Sequence, residues 1–131
     1  MKSIVICGSR RYKKEINEFA DGLEKLGVKV YRPYLHLATH EEWNNLRDDQ
    51  KVYICGGLTY GHFEKIQKAD VVFVYNKDEY SGVSTTLELG YAAALHKPII
   101  ALMKDNQEGC RDILFENYAT TPEELVKLIN Y

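Results

Sequence analysis

The stretch 71-VVFVYNKDEYSGVSTTLELGYAAALHKPIIALM-103 decides the fold. Val71 to Tyr75 is an uninterrupted apolar, β-branched and aromatic run, the pattern of a strand buried on both faces. A polar loop follows from Asn76 to Val83, then a helix from about Thr86 to Leu95 that stops before Lys97-Pro98. Ile99 to Met103 is a second strand with Pro98 at its first position. Strand, helix and strand at this spacing form a crossover unit between parallel neighbours.

The same unit recurs upstream. Ile4 to Cys7 is a short apolar run ending at Gly8-Ser9. Ile16, Phe19, Ala20, Leu23 and Leu26 then recur at helical spacing, Gly27 is the helix stop, and Val28 to Tyr31 is the next strand. From Pro33 to Gly57 the pattern loosens: Glu41 to Val52 reads as a helix, Cys55-Gly56-Gly57 as a break, and Phe63 to Lys68 as a short helix. Thr121-Pro122-Glu123-Glu124 opens a last helix with a capping-box spacing and proline at its first position. The expectation is one domain over residues 1–131: an α/β/α sandwich around a five-stranded, parallel, doubly wound sheet of Rossmann-like or flavodoxin-like type.

Composition narrows the function classes. The 131 residues are 45% hydrophobic and 27% charged, enough for one proper core, and a net charge of −2 gives no pull toward polynucleotides or anionic lipid. Cys7, Cys55 and Cys110 lack CxxC spacing and no histidine cluster lies near them in sequence, so reduced cytoplasmic thiols are expected and no metal or cofactor. His36, His40 and His96 likewise have no partner at metal-ligand spacing. The N-terminal apolar run is too short for a signal peptide, and no run of about 18 apolar residues exists to span a membrane.

In open parallel sheets, ligands collect at the carboxyl ends of strands, which singles out two loops. The first, Gly8-Ser9-Arg10-Arg11-Tyr12, offers backbone N–H groups, a hydroxyl and guanidinium groups beside a helix start. It suits a phosphate or carboxylate, or is simply a turn with two solvated arginines. The second leads into Ser81-Gly82-Val83-Ser84-Thr85-Thr86-Leu87-Glu88. Placed in the first turn of its helix, Glu88 would be held ionised, as a nucleophile requires. The Thr85-x-x-Glu88 spacing equally describes a capping box.

The order Cys-Gly-Ser after strand one, then KADVVFVYN, then SGVSTTLELGYAAALHKPII resembles the nucleoside 2-deoxyribosyltransferase family, including its nucleotide-hydrolysing relatives, over Met1 to about Leu102. The resemblance implies an enzyme that breaks the N-glycosidic bond of a 2′-deoxynucleoside or its 5′-monophosphate. Glu88 would attack the anomeric carbon and hold the sugar until water or a second base takes it. Two positions depart from the family: Ile6 stands where the transferases have a tyrosine, and His62 where the family has an aspartate. His62 would then be a general acid for the departing base, or a surface residue capping a short helix. Ser9, Arg10 and either Ser81 or Ser84 stand where the hydrolases hold a 5′-phosphate, which tilts the expectation toward hydrolysis of a monophosphate. Base transfer, or nucleotide sensing without catalysis, are the alternatives. Gly8 and Gly82 complete the loops. Asn76 and Tyr80 sit where sugar or base would lie, although Tyr80 equally packs under its own loop. Relatives complete the site from a neighbouring subunit, which implies a homodimer or larger assembly, with Asp112 the nearest match for the contributed residue.

Overall fold

The computed structural model describes residues 1–35 and 38–130, so His36 lies outside the described residues. Five strands form one parallel sheet: β1 (Ile4–Gly8), β2 (Val30–Tyr31), β3 (Val71–Tyr75), β4 (Ile99–Ala101) and β5 (Asn117–Tyr118). Their order is β2-β1-β3-β4-β5, with Ile4 opposite Val71 and Gly8 opposite Tyr75 in the central pair. This is the doubly wound arrangement expected from the alternating pattern, and its switch point falls between β1 and β3. The fourth strand is shorter than its apolar run, and the second begins at Val30 rather than Val28.

Alternation along the strands splits the core in two. Ile4, Ile6 and Phe73 face α1 (Lys13–Lys25) and α6 (Pro122–Ile129), where Phe73 stacks on Phe19 with ring centroids 4.6 Å apart. Val5, Cys7, Val72 and Val74 face α3 (Asp48–Lys68) and α4 (Val83–Ala94) through Ile66, Leu89 and Ala92. Two short helices, α2 (His40–Asn44) and α5 (Gly109–Asp112), complete the chain. Among the described residues no helix is long and apolar enough to cross a membrane.

Helix ends follow local chemistry. Gly27 adopts φ +85° after α1, and Val28 N donates to Leu23 O, closing the helix as the glycine suggested. At α6, Thr121 Oγ1 accepts from Glu124 N, but the Glu124 carboxylate turns to Thr120 instead of completing a box on Thr121.

Three helix boundaries differ from the sequence expectation. The helix read over Glu41 to Val52 is two helices, because Thr39 and Glu42 cap one start while Gln50 Oε1 accepts from Arg47 N at another. The break at Cys55-Gly56-Gly57 does not exist, and α3 runs through it for 21 residues. Neither glycine takes a positive φ, and both lie on open faces, so each only weakens the helix by about 1 kcal/mol relative to alanine. Finally, α4 begins at Val83, with Gly82 in extended conformation as its cap. Glu88 is therefore the sixth helical residue, beyond the first turn, and the capping box read from Thr85 and Glu88 is absent.

A buried carboxyl, imidazole and thiol under the sheet edge

Glu88 points from α4 toward α3, where its Oε2 lies 3.3 Å from His62 Nε2. The same nitrogen lies 3.3 Å from Cys7 Sγ, the side chain that the last turn of β1's alternation sends to this face. Strand and both helices thus each supply one group. Cys7 is fully buried, His62 6% exposed and the Glu88 side chain 14% exposed, so Glu88 is the member that opens outward.

Burial governs the protonation of all three. It pushes Glu88 up to about 8, against a pull downward from the Lys65 ammonium, and pushes His62 down to about 4 with the same ammonium adding to the fall. The Cys7 thiol is raised well above its ordinary range by burial and then by Glu88. At neutral pH carboxyl and thiol keep their protons and the imidazole is neutral, so both acids face one imidazole nitrogen. The helix N-terminus does not hold Glu88 ionised, as its expected first-turn position implied; desolvation dominates because the residue sits deeper along the helix.

Cys7 is the residue sequence reasoning missed. Its only signal in the sequence is strand alternation, which puts it on the opposite face from Ile6; the spacing of the cysteines along the chain carries none. Ile6 packs in the α1 and α6 layer.

The two candidate loops are fastened together. Ser9 Oγ accepts from Arg11 N and caps a short 3-10 turn, Arg10–Tyr12, leaving Arg10 exposed. Tyr12 OH donates to Asp78 Oδ2 at 3.1 Å, and the Arg11 guanidinium lies 3.7 Å above the Tyr80 ring. Asp78 and Glu79 both hold positive φ, near 56° and 61°, and Glu79 Oε1 accepts from Asn106 N. A strained loop held from several sides fits a site whose geometry matters. At Gly8 a Cβ would lie 2.7 Å from Ile16 Cδ1 and 3.3 Å from Tyr75 O, so any larger residue needs Ile16 to shift and the β3 backbone to give by a few tenths of an ångström.

Other expected residues divide. Ser81 is buried and its Oγ has no hydrogen-bond partner, whereas Ser84 is exposed at the start of α4. Asn76 is fully buried with both ends of its amide engaged by the Met103 backbone, a link between β3 and β4. Asp112 Oδ1 accepts from Asp105 N and from Tyr118 OH within its own chain. Arg111 pairs with the buried Asp105 at 2.7 Å and reaches Ser81 O and Thr86 Oγ1, anchoring the loop before α4. His40 and His96 are exposed, and His96, at φ 57°, ends α4. Tyr91 stacks on Phe63, centroids 4.2 Å apart, and receives a hydrogen bond from Gln67.

The fold is shared with solved structures at low sequence identity. The 2-deoxyribosyltransferase of Bacillus psychrosaccharolyticus is 18% identical with a TM-score of 0.67, covering 98% of this chain and 91% of its own. A conserved protein from Enterococcus faecalis V583 is 17% identical with a TM-score of 0.59, covering 99% and 98%. The CMP N-glycosidase of Clostridium botulinum is 20% identical with a TM-score of 0.56, covering 99% and 100%. No curated protein sequence matches the chain. The model of the nucleoside 2-deoxyribosyltransferase family, in contrast, matches residues 6–120, nearly the whole chain. The chain belongs to the nucleoside 2-deoxyribosyltransferase family of enzymes.

Proposed function

We propose that the protein hydrolyses the N-glycosidic bond of a 2′-deoxynucleoside 5′-monophosphate through a covalent glycosyl intermediate on Glu88. The observation that carries this reading is the 3.3 Å approach of Glu88 Oε2 to His62 Nε2 where both side chains are largely removed from water. A protonated carboxyl is no nucleophile, and the imidazole at this distance is the group placed to take its proton once bound substrate changes the surroundings of the pair. When substrate binds, His62 takes the Glu88 proton. The carboxylate bonds to C1′ as the C1′–N bond breaks with its electron pair passing to the base, and the imidazolium proton leaves to the base nitrogen. Water then attacks C1′, the ester C–O bond breaks, and the proton released by water returns to the Glu88 and His62 pair. Two displacements give net retention.

In this reading Gly8, Ser9 and Arg10 receive the phosphate, supported by the exposed Arg10 at a capped turn. The unpartnered Ser81 hydroxyl and Gly82 line the opposite loop, with Ser84 at the helix start and Asn76 and Tyr80 shaping the floor. The activity of the CMP N-glycosidase with the same fold agrees with a monophosphate substrate and hydrolysis.

The enzyme is a homodimer or larger assembly in the cytoplasm. Val52, Tyr53, Ile54, Leu58 and Tyr60 on α3, with Val83 and Leu87 on α4, are exposed apolar side chains, more than an isolated helix pair presents to water. Cys7, Cys55 and Cys110 are free thiols, which a reducing compartment preserves. Asp112 is the residue one subunit would lend its neighbour.

The test is a panel of nucleosides and 5′-monophosphates, with and without a second free base, followed by chromatography. Base release independent of the second base supports hydrolysis. A new nucleoside formed only with the second base replaces it by transfer, and binding without turnover replaces it by sensing.

A further inference from the structure

Sγ of Cys7, Nε2 of His62 and a carboxylate oxygen of Glu88 all lie within 4.8 Å of one another. Thiolate, imidazole and carboxylate are the ligand types zinc takes, at about 2.3, 2.0 and 2.1 Å, so in a tetrahedral site neighbouring ligand atoms stand roughly 3.3–3.6 Å apart. The sulfur-to-nitrogen and nitrogen-to-oxygen separations are both 3.3 Å. The three groups come from β1, α3 and α4 and are held by core packing on either side, through Ile66 and Leu89, so they are brought together before any cation arrives, and the sulfur-to-oxygen separation, within 4.8 Å, is the one a tetrahedral cation would have to close.

We propose that Cys7, His62 and Glu88 form a binding site for a zinc-class divalent cation, and that the bound cation blocks the enzyme by occupying its Glu88 carboxylate. The blocking half rests on the function proposed above; the binding half does not. A cation of charge +2 with one thiolate and one carboxylate is neutral overall, which removes the main cost of placing charge among apolar side chains. Two protons leave as the cation enters, one from the thiol and one from the carboxyl, and no electron moves. Three protein ligands leave the fourth position for water on the side where Glu88 is exposed. A carboxylate bonded to the metal is a much weaker nucleophile toward C1′, because its charge is drawn to the cation and its position is fixed. The Cys7 and His62 pairing is 55 residues apart in sequence, beyond any local ligand motif.

The full chain, freed of metal by chelator, is titrated with Co2+ as the spectroscopic probe and with Zn2+ in competition. The expected result is one Co2+ per chain with a thiolate-to-cobalt charge-transfer band and the strong visible bands of four-coordination, both displaced by Zn2+. Cys7→Ser and Cys7→Ala, checked for folding by circular dichroism, lose the band and bind Zn2+ on the order of 100-fold more weakly or worse, while the Cys55→Ser, Cys110→Ser double variant keeps both. Absence of a thiolate band in the unaltered protein, or a band that survives loss of Cys7, overturns the site. A Cys7-dependent band in a protein that releases no base supports the site while the glycosidase reading fails. Base release undiminished with Zn2+ bound through Cys7 overturns the blocking half.

Discussion

Glu88 Oε2 and His62 Nε2 lie 3.3 Å apart, carried by α4 and α3, and burial drives the two groups in opposite directions: the carboxyl up to about 8, the imidazole down to about 4. One proton therefore rests on the acid at neutral pH, facing the imidazole nitrogen.

The first consequence is a pH profile. The proton that Glu88 gives to His62 is the one the departing base receives, so the active form is the pair carrying a single proton. Base release under kcat/KM conditions is expected to be level between about pH 4 and 8 and to fall about tenfold per unit above that, as the pair loses its proton. A rate that is flat from pH 5 to 9 would remove the protonated resting carboxyl from the account.

A second consequence concerns stability. Glu88 binds its proton more tightly folded than unfolded, so the stability it contributes is fully present below about pH 4.5 and is lost as pH rises through about 8. Glu88→Gln keeps shape and removes that loss. The variant is expected to melt several degrees above the unaltered protein at pH 9 and to converge with it near pH 5, in thermal scans across pH. His62 runs the other way: its stability is present above about pH 6.5 and lost as pH falls through about 4, in both proteins alike.

Gly8 is a steric test of the strand end. Gly8→Ala puts a Cβ 2.7 Å from Ile16 Cδ1 and 3.3 Å from Tyr75 O, one in α1 and one in β3, and backbone cannot yield as a side chain does. A loss of about 1–3 kcal/mol in denaturant unfolding is expected. An unchanged midpoint would mean that the strand end relaxes freely.

Arg111 tests the support under the loop before α4. Its partner Asp105 is fully buried and also accepts from Gln107 N and Glu108 N, so Arg111→Ala leaves a buried anion whose strongest partner is gone. The expected cost is about 3–5 kcal/mol, and adding Asp105→Asn recovers part of it. Additive losses in the double variant would contradict the pairing.

Much of this was legible in the residues, for physical reasons that also mark where legibility ended. The apolar runs at Ile4 and Val71 are fully buried strands, and Gly27 ends α1 because it alone among the described glycines takes a positive φ. The glycines at 56 and 57 look the same in sequence, but they keep helical backbone on an exposed face, and only tertiary structure distinguishes the two uses. For Glu88 the sequence places a carboxylate at a helix start, and moving that start from about Thr86 to Val83 changes a dipole argument about its protonation into a desolvation argument. Cys7 escaped because its partners stand 55 residues and more away, and strand alternation shows which face a side chain takes without showing what meets it there.

The central claim is a sugar held covalently by Glu88. The direct measurement is rapid acid quench during turnover of a 2′-deoxynucleoside 5′-monophosphate, followed by proteolysis and mass spectrometry of the peptide spanning Ser81 to Tyr91. A deoxyribosyl 5-phosphate adduct on Glu88 is expected, absent together with all base release in a folded Glu88→Ala protein. Base release that persists in Glu88→Ala, or an adduct on another residue, would contradict it.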